Sequence, residues 1–278
     1  MPLSRQPSVP AKWGSFMASE REKILRYYRA SGDGELAARL LDYAETVLRT
    51  RKYRASHFLD PYGFSVAETI VAHFTSLRLE SSGGYEGAER LKAVFVHEDF
   101  LGSIDFGITA VGIAWDARYY ELSHRDMLGA LMGLGIDRDV VGDIIMTGSG
   151  ARVVVDTAMA GFIENNLLKV GAAPVTVKII PLSDITPRIV QVKEIRATVP
   201  SLRLDVVAAA GFGLSRTKMA AEIAADKIKV NWQEAKNAAQ TVKPGDIISM
   251  RGRGRVEICE VLGQTKKGRT SIFLKRFV

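Results

Sequence analysis

The sequence has little cysteine and little histidine. Cys259 is its only cysteine, which excludes an internal disulfide and a cysteine-based metal cage and suits a reducing compartment. His57, His73, His97 and His124 show no close ligand spacing, so no metal centre is expected and no cofactor is implied. No apolar run approaches membrane-spanning length, because the longest stretches are broken by Arg, Asp or Gly. No acid precedes Glu20, and residues 1–18, which carry Arg5 and Lys12, hold neither the apolar core nor the cleavage pattern of a secretory signal. A frayed N-terminus and a cytoplasmic protein are expected, or a plastid stromal one if the sequence is from a plant.

Hydrophobic residues make up 47% of the 278, enough for packed cores and against global disorder. The length fits two or three domains. Charge is segregated: residues 198–278 hold 15 Lys and Arg against 7 Asp and Glu, whereas residues 1–197 hold 23 against 24. A basic block on a folded segment points to a polyanion, and nucleic acid is the first candidate.

Residues 19–77 read as helices. Ser19-Glu20-Arg21-Glu22 is a capping-box pattern, a second helix begins near Asp33, and Ser65-Val66-Ala67-Glu68 predicts the start of a third after a turn at Asp60-Pro61-Tyr62-Gly63. The basic run Arg49, Arg51, Lys52 and Arg54 fits either a phosphate contact or cations at a helix C-terminus. Strand-like runs at Leu91–Val96, Ile108–Trp115, Asp143–Met146, Arg152–Val155 and Val175–Ile180, with helices at 123–134 and 157–168, predict a β-β-α-β-β-α-β sandwich. Gly148-Ser149-Gly150 reads as its hairpin turn, and 181–200 as a connector with a short strand at Ile189–Val192. The fold class expected is α+β. Three domains are expected: helical at 1–80, a small α+β sandwich at 81–183, and a basic domain with a terminal hairpin at 184–278.

Arg203–Ile223 holds two short helices around a glycine turn. Gly211 is the expected left-handed C-cap of the first helix, Ser215 the N-cap of the second, and Leu214 and Met219 occupy staple positions. Arg216 and Lys218 then lie in a first turn, where cations cost up to about 1 kcal/mol. A phosphate bound there would meet free backbone N–H groups and both cations at once. Lys227-Ile228-Lys229-Val230-Asn231 alternates basic and apolar, a strand with one face for each.

Arg203-Leu204-Asp205, Gly211-Phe212, Ser215-Arg216, Ile228-Lys229-Val230-Asn231 and Gly245-Asp246 together resemble the S4-type RNA-binding fold over residues 200–250. Asp226 stands where many members have glycine, and Asn231-Trp232 replaces the common Asn-Gly, so a different hairpin turn is expected. With Arg251-Gly252-Arg253-Gly254-Arg255, Thr265-Lys266-Lys267-Gly268-Arg269, His124–Ala130 and Phe162–Leu167, the chain resembles the YlmH-like family, which includes the photosystem II S4 domain proteins of cyanobacteria and plastids. That resemblance implies that the helical N-terminal domain is followed by an RRM-like α+β middle domain at 81–183 and an S4-type RNA-binding domain at 184–278, and it implies recognition of structured ribosomal RNA or tRNA on the large subunit. Relatives act in rescue of stalled subunits or are linked to cell division or photosystem II.

The expected RNA-binding residues are Arg203, Ser215, Arg216, Thr217, Lys218, Lys227, Lys229, Asn231, Arg251, Arg253 and Arg255, with none catalytic and none on a metal. Gly252 and Gly254 fit either close backbone approach or an ordinary turn; Trp232 fits either inward packing or base stacking. Neutralising about five phosphates gives a log–log salt slope of about −4.

Asp105-Phe106-Gly107 and His124-Arg125-Asp126 spell kinase motifs in reversed order, without a nucleotide loop, and are read as coincidence. The enzyme alternative is an RNA pseudouridine synthase, with Asp205 the tempting aspartate; here it is expected to cap or pair locally. A non-catalytic scaffold linked to photosystem II or cell division is the third class.

Overall fold

The computed structural model describes residues 11–148, 150–186, 191–266 and 268–277. It divides into two units, Met1–Pro187 and Arg188–Val278.

The first unit starts with α1 (Ala11–Ser31), α2 (Gly34–Thr50), β1 (Tyr53–Leu59), α3 (Pro61–Val71), β2 (Leu77–Ser82) and β3 (Leu91–His97). Ala37, Leu40, Leu41, Ala44 and Val47 recur at helical spacing on α2, and all are buried. They pack with α3 against a three-stranded antiparallel sheet of order β1-β3-β2. Its central strand is buried from Lys92 to His97.

The same unit continues with β4 (Ile108–Ala114), α4 (His124–Gly133), β5 (Val141–Thr147), β6 (Gly150–Asp156), α5 (Thr157–Asn166), the short pair β7 (Lys169–Val170) and β8 (Ala173–Pro174), and β9 (Thr176–Ile180). The larger sheet has the order β5-β6-β4-β9. Val111, Ile113, Val153 and Val155 pack beneath Met127 and Leu131 of α4 and Ala160 and Ile163 of α5. On the opposite face, Ala110, Ile145 and Val154 meet Phe58 of β1, so the two sheets share a small core.

The second unit contains β10 (Val192–Val199), α6 (Leu204–Phe212), α7 (Arg216–Ala224), β11 (Ile228–Val230), β12 (Gln233–Glu234), β13 (Ile247–Met250), β14 (Gly254–Gln264) and β15 (Thr270–Phe277). Its six-stranded sheet has the order β10-β15-β14-β13-β11-β12. Both helices lie on the face that carries Ile228, Ile248, Val256, Ile272 and Leu274.

Several local expectations change. Ser19 lies inside α1 rather than at its start. Residues 53–59, read as helical, form β1. The turn at Asp60-Pro61-Tyr62-Gly63 is instead the first turn of α3: Asp60 caps it by accepting from Gly63 N–H at 2.8 Å, and Pro61 takes the first position. β3, assigned to the middle sandwich, pairs with β1 and β2, and β2 was not anticipated. Beyond Gln191 the presumed connector is a full strand, β10, paired with β15 along its length. Ser149 of the middle hairpin turn, Ile189 and Val190 of the short strand, and Lys267 lie outside the described residues. The capping box at Ser123 and Asp126 is present.

Candidate nucleic-acid interface

α6 ends two residues later than expected. Gly213, not Gly211, adopts the left-handed C-cap, with φ 67°, and its N–H returns to Ala209 O. Gly211 is needed for packing instead: a Cβ there would lie 2.7 Å from Val256 Cγ1. Two residues later Ser215 caps α7, accepting from Lys218 N–H at 3.2 Å. The N-terminus of α6 is closed by a loop, because Leu204 N–H donates to Gln240 O and Asp205 N–H to Ala238 O. The first turn of α7 remains open: among the described residues, Arg216 N–H and Thr217 N–H donate to no acceptor.

Asp205 organises the cations around that turn. Its side chain is 4% exposed and takes Arg203 Nε at 3.0 Å, Arg203 Nη2 at 3.1 Å and Arg216 Nε at 2.8 Å. The Arg203 hydrogen bonds hold its carboxyl below the usual range against the opposing effect of burial, and Arg216 adds to the lowering. Arg216 is 57% exposed and engages the carboxylate through Nε, leaving its Nη groups for a further acceptor. Part of the cost of a cation in this first turn is therefore offset within the domain.

A second acid gathers the next cations. Glu222 lies one turn beyond Lys218 on α7 and accepts from Lys227 Nζ at 2.8 Å. Its carboxyl is held low by the Lys227 hydrogen bond first, with Lys218 and Arg253 contributing through their charge. Arg251 N–H donates to Lys227 O, so the Arg251–Arg253 turn sits beside the end of α7. In each cluster cations outnumber the acid that holds them, leaving net positive charge at two points along α7.

The structure thus brings together Arg203, Ser215, Arg216, Thr217, Lys218, Lys227, Arg251 and Arg253. It separates three other expected residues from them. Lys229 alternates with the buried Ile228, so it lies on the sheet face opposite the helices. Lys229, Ser249 and Arg255 follow one another across β11, β13 and β14, and the Arg255 guanidinium lies 5.7 Å from the Phe277 ring centre on that same face. Asn231 is committed internally: its Nδ2 donates to Asp246 Oδ1 and its Oδ1 accepts from Ile247 N–H, both at 2.9 Å. Asn231 and Trp232 have φ of 49° and 66°, the pattern of the two-residue I′ turn that Asn-Gly forms. The hairpin turn therefore does not differ as expected; the Asn231 bonds hold Trp232 in a left-handed conformation. Gly254 has φ 83°, and a Cβ there would fall 2.5 Å from Phe277 O, so close backbone approach is its role. Phe212 is core, and Trp232 is half-buried. Asp205 pairs locally with Arg203, as expected, and also anchors Arg216. The Arg203–Asp205 spacing signalled the first pairing, but Arg216 as a second partner did not show.

Three family models match in chain order: the N-terminal domain of YlmH at residues 33–100, the RNA-binding domain in YlmH at 102–184, and the S4 domain at 202–248. The chain is also 31% identical over 237 residues to ribosome-associated protein quality control protein P2 of Bacillus subtilis (strain 168), covering 85% of this chain and 92% of the relative. The chain belongs to the YlmH family. Among solved structures, the cell division protein ylmH from Streptococcus pneumoniae is similar at 22% identity and a TM-score of 0.48, over 56% of this chain and 95% of that one. As a YlmH-family member the protein carries two RNA-binding modules, and the cation clusters along α7 belong to the second of them. No helix among the described residues is long and apolar enough to cross a membrane.

Proposed function

We propose that this YlmH-family protein is a non-catalytic binder of structured ribosomal RNA or tRNA on the large ribosomal subunit, working in the cytoplasm in ribosome-associated quality control. The name of the Bacillus subtilis relative supports that setting. The division of labour follows three domains, with the first boundary moved from 80 to near residue 100 because β2 and β3 complete the N-terminal sheet, and the second kept near 184. The observation that carries the reading is the first turn of α7. There the unpaired N–H groups of Arg216 and Thr217 and the Nη groups of Arg216 lie in one turn beside an acid that already holds Arg216 in place, and Lys218 follows in the same turn. A phosphate of folded RNA fits such a terminus, and A-form RNA offers phosphates and 2′-hydroxyls more readily than base edges. Asp205 lies inside the segment matched to the S4 domain and is engaged by two arginines, which supports a pairing role for it over the catalytic one of the pseudouridine synthase reading.

Gradient co-sedimentation with ribosomal subunits at several salt concentrations tests the proposal. The wild-type log–log salt slope is expected to be about −4. Arg216→Glu should weaken association by roughly tenfold or more and flatten the slope, whatever the RNA sequence. A folded Arg216→Glu variant that sediments with subunits as the wild type does would remove α7 as the contact.

A further inference from the structure

The middle sheet has a face that the helices do not use. Gly112 on β4 lies opposite Arg152 on β6 and Lys178 on β9, so the three form one row across adjacent strands. They alternate with Ile113, Val153 and Val177, which pack towards α4 and α5, and so point the other way. Part of that second face is covered by Phe58, Leu182 and Ile185. The rest is an open groove of about 460 Å³, lined among others by Thr147, Arg152, Thr176, Lys178 and Asp184. Gly112 keeps its floor low: a Cβ there would sit 3.3 Å from Ile180 Cγ2. Arg152 Nη1 donates to Thr186 Oγ1 at 3.3 Å, which steadies the guanidinium at the rim, and Lys178 is exposed on the edge strand. Two strand spacings place the backbones of the two cations about 10 Å apart.

We propose that this groove binds a single-stranded stretch of RNA by its sugar–phosphate backbone, with Arg152 and Lys178 on its phosphates and Asp184 accepting a ribose 2′-hydroxyl. The inference rests on the protein being an RNA binder and adds a contact separate from α7. Two cations flanking a glycine floor match two negative charges along one strand, and a recess of this size does not admit a duplex. No aromatic residue lines the groove, so base stacking does not contribute and binding is indifferent to sequence. Asp184 disfavours a phosphate at its own position but accepts from a 2′-hydroxyl, a group DNA lacks.

Fluorescence anisotropy on the full chain tests this with three probes: a mixed-sequence single-stranded RNA, the same sequence as DNA, and an RNA hairpin. Arg152→Glu/Lys178→Glu should weaken single-stranded RNA binding at least about tenfold and reduce its salt slope by about 1.4, the share of two phosphates on a single strand. Arg216→Glu should act chiefly on the hairpin. Asp184→Ala should narrow the preference for RNA over DNA. Lys178→Glu alone, at an exposed edge position, carries the test if the double variant melts early. If the wild type binds none of the probes, the RNA-binding reading itself fails. If the wild type binds the single strand and folded Lys178→Glu binds it with unchanged affinity and slope, the groove proposal alone is overturned. Equal wild-type affinity for RNA and DNA would remove the role of Asp184.

Discussion

A single side chain at Asn231 holds a two-residue turn, a neighbouring strand and Asp246 in register. Its amide makes two hydrogen bonds inside the domain, and its φ of 49° suits Asn and Gly better than other residues. Asn231→Ala should therefore cost about 2–3 kcal/mol, combining lost hydrogen bonds with left-handed strain. Asn231→Gly keeps the conformation and should recover about 1 kcal/mol of that. Urea unfolding of both variants measures the difference. RNA affinity of the folded protein should stay at the wild-type level in each. A loss of affinity without a loss of stability would return Asn231 to the binding surface.

Two glycines in α6 and its cap do different work. Gly211 lets the helix approach Val256, whereas Gly213 supplies the left-handed residue that turns the chain towards α7. Gly211→Ala should cost about 1–3 kcal/mol by overpacking, and Gly213→Ala about 1–2 kcal/mol by backbone strain. A double-mutant cycle separates the causes. Val256→Ala should relieve Gly211→Ala and leave the cost of Gly213→Ala unchanged, since only the first pair touches. Additivity at both positions would mean that Val256 does not set the helix–sheet spacing. That spacing matters because α6 carries Asp205, and Asp205 holds Arg216.

Across the first unit, Lys92 of the N-terminal sheet reaches Asp156, at the end of β6, at 2.7 Å and Gly107 O, just before β4, at 2.9 Å, with its side chain 4% exposed. Asp156 also caps α5 through Ala158 N–H. Lys92→Ala should cost about 3–5 kcal/mol, because it leaves a partly buried carboxylate unpaired, and Lys92→Met should cost less. Burial, the largest single effect, acts to raise the Asp156 pKa, but the Lys92 hydrogen bond, the Ala158 N–H and the charges of Lys92 and His57 together outweigh it and the net direction is down. A depressed carboxyl contributes stability above its unfolded pKa and loses it as pH falls through the folded one. The wild-type unit should therefore resist acid until below about pH 4, and Lys92→Ala should move that limb to higher pH. Chemical denaturation across pH reads both. An unshifted acid limb in Lys92→Ala would show that the pair does not couple the two sheets.

Features encoded over a few residues were legible in the sequence. Ser123 with Asp126, Ser215 with Lys218, the alternation of Lys229 with Ile228 and the basic C-terminal block each depend on neighbours along the chain, and the motifs of the family lie in such stretches. The tertiary structure alone decided which segments became neighbours. It placed β3 between β1 and β2, turned Lys229 and Arg255 away from α7, gave Arg216 to Asp205 and drew Arg152, Gly112 and Lys178 into one row. Capping and periodicity act through bonds to residues a few positions away, so they are written locally. Strand register and ion pairing depend on contacts between distant segments, which form only when the apolar faces close on one another.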